Sequence, residues 1–95
     1  MIVGICRIIL MLHGVSSLKE KRGILKKIVE KTKNRFNMSV SETAFNDMWQ
    51  KSEVGIALIG NDSAFINSRL DKAVNFIEAM NLAEIIDTEI EVISL

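Results

Sequence analysis

Three groups of side chains in this 95-residue chain have the types and spacing to do chemistry. The first is the run from Ser17 to Asn37, S-L-K-E-K-R-G-I-L-K-K-I-V-E-K-T-K-N-R-F-N, which holds eight of the twelve basic residues. On a helical wheel Lys19, Lys26, Lys27 and Lys33 share one exposed side, with Arg22 and Arg35 near its edges. A cationic stripe with few intervening acids neutralises phosphates, and binding through it weakens steeply with salt. The excess of lysine over arginine suits phosphate contact rather than two-pronged reading of base edges. The plainer alternative is a solvated face that keeps the protein in solution. Lys21 falls inside the apolar arc of the same helix. It either snorkels at the helix end or reaches into a site near the first turn.

The second group is Glu42, Asp47, Trp49 and Gln50. Two carboxylates beside the only tryptophan raise the question of acid–base work. Nothing in the chain supplies a nucleophile with its base, a metal cluster or a phosphate loop to complete such a site. A tryptophan that closes the end of a sheet explains the indole without catalysis, and Trp49 with Gln50 also suits partner contact. The third group is the lone His13 and the lone Cys6. A single histidine in a turn reads as structural, and Cys6 lies on a core-facing position, where a thiol behaves as a small hydrophobe.

The elements that must position these groups follow from periodicity. Residues 2–12 alternate as a strand, with Cys6, Ile8, Leu10 and Leu12 on one side and Ile5, Arg7, Ile9 and Met11 on the other. Ser17 and Glu20 form an S-x-x-E capping box at the start of a helix that ends at Asn34-Arg35. Phe36, Met38 and Val40 then alternate as a second strand, and 42–51 is an irregular loop. Val54, Ile56 and Leu58 mark a third strand, Asp62 caps a second helix over 64–80, and Ile86, Thr88, Ile90 and Val92 mark the last strand. In that helix Phe65, Ile66, Leu70, Ala73, Val74, Phe76, Ile77 and Met80 form the apolar arc. The order β-α-β-β-α-β predicts an α+β, ferredoxin-like sandwich spanning 1–95 as one domain, with a four-stranded antiparallel sheet and two helices on one face. The last strand then neighbours the first, so Arg7 pairs with Glu89 or Glu91.

Composition narrows the function classes. A hydrophobic content of 48% excludes a disordered chain. One cysteine excludes an internal disulfide or a cysteine zinc site and suits the cytoplasm. The apolar start, 2–12, is too short to span a membrane and lacks a secretory leader. The zero net charge hides a split: residues 1–35 carry +7 and residues 36–95 carry −7. Such a split marks a partner-binding face or head-to-tail association, or is compensated within the fold.

L-K-E-K-R (18–22), N-R-F-N with M-S-V-S-E (34–42), D-M-W-Q (47–50) and V-G-I-A-L-I-G-N-D (54–62) together resemble the small bacterial YlxP-like family. The resemblance implies a ferredoxin-like sandwich. It implies no established biochemical function. Genes of the family often lie beside those for translation initiation and ribosome maturation factors, so the resemblance leans towards ribosome- or RNA-linked work. Family members tend to carry polar residues where this chain has Ile9 and Met11, and an acid-rich segment where it reads Thr43-Ala44-Phe45-Asn46.

Two fold-sharing classes are excluded. Base-stacking on central-strand aromatics needs rings that the first and third strands lack. Acylphosphatase chemistry needs an arginine in the loop after the first strand, and His13 to Ser17 has none. The expectation is a non-catalytic protein without cofactor or metal that binds ribosomal or other RNA through Lys19, Lys21, Arg22, Lys26, Lys27, Lys33 and Arg35. The alternative is a protein-interaction or assembly module that works through Trp49, Gln50 and the open sheet face, Ile5, Ile9, Met11 and Ile59. Left uncovered, that apolar face predicts a homodimer.

Overall fold

A computed structural model describes all 95 residues, Met1–Leu95. The elements are β1 (Ile2–Met11), α1 (Leu18–Phe36), β2 (Ser39–Ala44), β3 (Lys51–Gly60), α2 (Ser63–Ala79) and β4 (Glu84–Ser94). The four strands form one antiparallel sheet in the order β2-β3-β1-β4, so the α+β ferredoxin-like arrangement is the observed one. Both helices cover the face that carries Cys6, Ile8 and Leu10 of β1 and Val54 and Ile56 of β3, and the 16-residue apolar core lies between the layers.

Local chemistry starts and stops the helices. Ser17, in an extended conformation, accepts from the Glu20 amide at 3.1 Å. The Glu20 carboxylate returns to the Ser16 amide at 3.3 Å, one residue earlier than the simplest capping box. Asp62 Oδ1 accepts from the amides of Ala64 and Phe65 at the start of α2. α1 runs through Phe36, beyond the stop anticipated at Asn34-Arg35. The buried series Lys21, Leu25, Ile28, Thr32 and Phe36 has helical spacing, so Phe36 satisfies the helix period as well as the strand period. Asn37 then turns left-handed (φ 52°), and its amide closes onto the Lys33 carbonyl.

Three further differences stand out, two of them of strand register. β2 extends to Ala44 and β3 begins at Lys51, because an irregularity between Glu42 and Ala44 breaks the alternation while pairing continues. In β4 the register shifts opposite Ile9 and Leu10, so Ile85 pairs with Leu10 and Ile86 becomes the extra, exposed residue. Phe65 leaves the core arc of α2 and is 60% exposed.

Gly23 lies on the solvent side of α1, and a Cβ there would meet nothing within 4 Å. Gly23→Ala is therefore expected to raise stability by about 1 kcal/mol, read as a higher urea midpoint with an unchanged slope.

Candidate nucleic-acid interface

α1 presents its cations outward because its core spacing leaves them no other side. Lys19, Arg22, Lys26, Lys27, Lys33 and Arg35 are all exposed. Lys31, which the wheel reading left out, joins them. None takes part in any of the four ion pairs of the protein. Of the two acids on this helix, Glu20 is engaged at the cap, which leaves Glu30 alone among the lysines. Arg35 packs over the Phe36 ring, with its guanidinium carbon 5.4 Å from the centroid.

Lys21 does not belong to this surface. Its side chain is 2% exposed, its ammonium donates to the Phe45 carbonyl at 2.6 Å, and it pairs with Glu42 at 3.0 Å. Helix geometry dictates this: Lys21 lies four residues before Leu25, on the buried stripe, so its charge must be met inside. Glu42 also accepts from Ser52 Oγ at 2.6 Å and from Asn46 at 3.3 Å. The carboxylate considered for acid–base work is thus saturated by Lys21, Ser52 and Asn46, and Asp47 makes no ion pair. Ser52, like Lys21, is closed off from solvent.

One row of acids lies on a different surface. β4 carries Asp87, Glu89 and Glu91 on the open face of the sheet, opposite Ile9, Arg7 and Ile5. Arg7 pairs with Glu89 at 3.2 Å and with Glu53 at 3.6 Å, so its charge is consumed there. The split seen along the sequence thus becomes a difference between elements: unpaired cations on α1, and acids divided between β4 on the open face and α2, which carries Asp71 and Glu78, beside α1.

The residues proposed for partner contact fall into two sets. On the open face, Ile59 is 68% exposed, Ile5 is exposed to a lesser degree, and Ile9 and Met11 are half-buried. Trp49 sits in the β2–β3 loop and is 51% exposed, so it does not close the end of the sheet. Gln50 is tied down: its side chain donates to the Val15 carbonyl at 3.0 Å, and its own carbonyl accepts from the Leu12 amide. That bonding makes Gln50 a fastener for the turn after β1 rather than a free contact. His13 meets Glu84 at 2.9 Å on the surface.

Burial pushes the Cys6 thiol up to about 11 from 9.0, with Asp71 adding a smaller push. Native protein at pH 8 is expected to leave Cys6 unreacted with a disulfide reagent, while urea-unfolded chain reacts fully. The unfolded thiol ionises first, so this group takes stability away as pH rises from about 9 towards 11. No three His, Cys, Asp or Glu side chains converge to hold a metal ion, and no helix is long and apolar enough to cross a membrane.

A family described as protein of unknown function (DUF503) matches residues 3–90. The uncharacterized protein YlxP of Bacillus subtilis (strain 168) is 32% identical over 77 residues, which cover 81% of this chain and 84% of that protein. Among solved structures, the protein YJCS superimposes with a TM-score of 0.61 at 14% identity, covering 97% of this chain and 99% of that one. The de novo designed protein Foldit4 does so with a TM-score of 0.58 at 18% identity, covering 99% and 97%. At such identities these two likenesses concern the fold alone.

Proposed function

The chain belongs to the DUF503 family, whose function is not established, and from its geometry we propose a non-catalytic protein that binds structured RNA through the solvent side of α1. The observation that carries this reading is the set of seven exposed cations on that side, none with an ion-pair partner. Ordinary helix surfaces mix signs, and their lysines find acids three or four residues away. Here one free glutamate serves the whole face, while β4 carries Asp87, Glu89 and Glu91 on the open sheet and α2 carries Asp71 and Glu78. A phosphate backbone supplies the missing counter-charge. Contact with phosphates alone makes the binding tolerant of sequence and dependent on RNA shape. A cytoplasmic setting fits this reading, since RNA and a reduced lone thiol are found there together. Filter binding of a structured RNA at low salt tests it: retention is expected, and no retention at any protein concentration up to about 100 µM, where non-specific nucleic-acid binding already registers, contradicts it.

A second reading, a homodimer through the open sheet face, rests on one row of that face. Ile59, Val3 and Ile93 stand side by side in register across β3, β1 and β4 at the end away from Arg7. Light scattering at micromolar concentration should then give twice the 10.7 kDa chain mass; a monomer contradicts this reading and leaves the first untouched.

A further inference from the structure

The cationic side of α1 ends at Arg35, and the next residue, Phe36, is the wall of a groove of about 570 Å³. The groove runs between the α1–β2 corner, the end of β3 and the first turn of α2, and is lined by Phe36, Met38, Leu58, Ile59, Phe65 and Arg69 among others. Two features set it apart from a chance surface dip. Phe65 and Ile59, large apolar side chains, are 60% and 68% exposed within it. Arg69 is held over both rings, its guanidinium carbon 5.4 Å from the Phe36 centroid and 5.9 Å from the Phe65 centroid.

Arg69 is fixed in place but not neutralised. It gives one N–H to the Phe36 carbonyl at 2.7 Å, and no carboxylate pairs with it. A guanidinium has five N–H donors in a rigid fork, so most of its donor capacity is free. Arg35, on the same Phe36 ring at 5.4 Å, is a second unpaired cation beside that wall of the groove. The exposed Phe65 ring beside Arg69, with Arg35 over the adjoining Phe36, matches a planar base linked to a phosphate. An apolar peptide segment would bury both cations without a partner. The groove begins at Phe36 and Asn37, the residues that follow Arg35 at the end of α1.

We infer that this groove takes one unpaired nucleotide of the bound RNA, with its base stacked on Phe65 and its phosphate met by Arg69 and Arg35. The inference rests on the RNA reading and sharpens it: the preferred substrate is a duplex with a bulged or looped-out base, not a continuous helix. Single-strand recognition elsewhere uses the same pairing of aromatic platform and cation.

Two hairpins of equal length test it, one fully paired and one carrying a single unpaired 2-aminopurine. Wild-type protein is expected to bind the second more tightly and to change its fluorescence. Phe65→Ala should weaken that binding about tenfold and leave the paired hairpin unaffected. Phe65→Leu, which keeps the apolar bulk, should behave like the alanine variant, and Phe65→Tyr should restore binding. If Phe65→Ala and Phe65→Leu bind both hairpins as the wild type does, the groove assignment is overturned and the α1 reading stands. If the wild type binds neither hairpin, both fall together.

Discussion

Lys21→Met is expected to lower the unfolding free energy by about 3 kcal/mol, the low end for one partner lost from a buried ion pair. Methionine keeps the length and apolar stem of the side chain, so the loss reports on the charge. The Glu42 carboxylate would keep Ser52 and Asn46 but lose its counter-ion, and the Phe45 carbonyl would lose its donor. Glu42 is 21% exposed, which lets water recover part of the cost and argues for the low end. The Phe45 backbone is left-handed (φ 62°), a conformation disfavoured for a non-glycine residue. Lys21, together with Lys51 stacked 4.4 Å over the Phe45 ring, holds it there. The β2–β3 loop should loosen in the variant, and Trp49 fluorescence offers a reporter within that loop. Adding Glu42→Gln to Lys21→Met should recover part of the loss, because the double variant buries no unpaired charge. Urea denaturation of the four proteins closes this cycle. A single-variant effect below about 0.5 kcal/mol, the ordinary range for surface substitutions, would mean that the pair does not hold the loop.

The second large effect is on binding. Changing Lys26, Lys27 and Lys33 together to glutamate should reduce RNA affinity on the order of a hundredfold at moderate salt. The slope of log affinity against log salt should also fall by about three. The three side chains are exposed and unpaired, so the core is not touched. Placing new acids next to Glu30 costs only a few tenths of a kcal/mol per pair. Reversing Glu89 and Glu91 on β4 is the matching control, because it changes the net charge in the opposite direction on another face. If the protein acted only through its overall charge, the first change would weaken binding and the second would strengthen it. A large loss from the first and no gain from the second are expected.

Most of the fold was legible because it is written locally. The alternation of β1, the serine and aspartate caps and the apolar arc of α1 each lie within a few residues, and the β-α-β-β-α-β order leaves few topologies. The Arg7–Glu89 pair followed once that topology placed β4 beside β1. What escaped notice depended on partners distant in sequence. Phe36 fits two periods, and partners distant in sequence, Phe76 ring to ring at 5.4 Å and Arg69 on its carbonyl, meet it on the helix. The bulges in β2 and β4 add one residue to one strand and erase the period that would have marked the true ends. Lys21 announced itself by sitting in an apolar arc, but its partner lies 21 positions away in an element whose face the bulge obscures. Phe65 was counted as core by helical phase alone. Its exposure follows from its place in the first turn of α2, at the rim of the groove rather than over the sheet.

The central claim is that the solvent side of α1 is the surface that RNA covers. The most direct measurement is to map which backbone and lysine side-chain resonances shift when a structured RNA is titrated into the labelled protein at low salt. Shifts are expected over Lys19 to Arg35 on the outward positions of α1, with β4 and the open sheet face beyond the Ile59 end of the groove unmoved. Shifts confined to β1, β3 and β4, or none at saturating RNA, would contradict it.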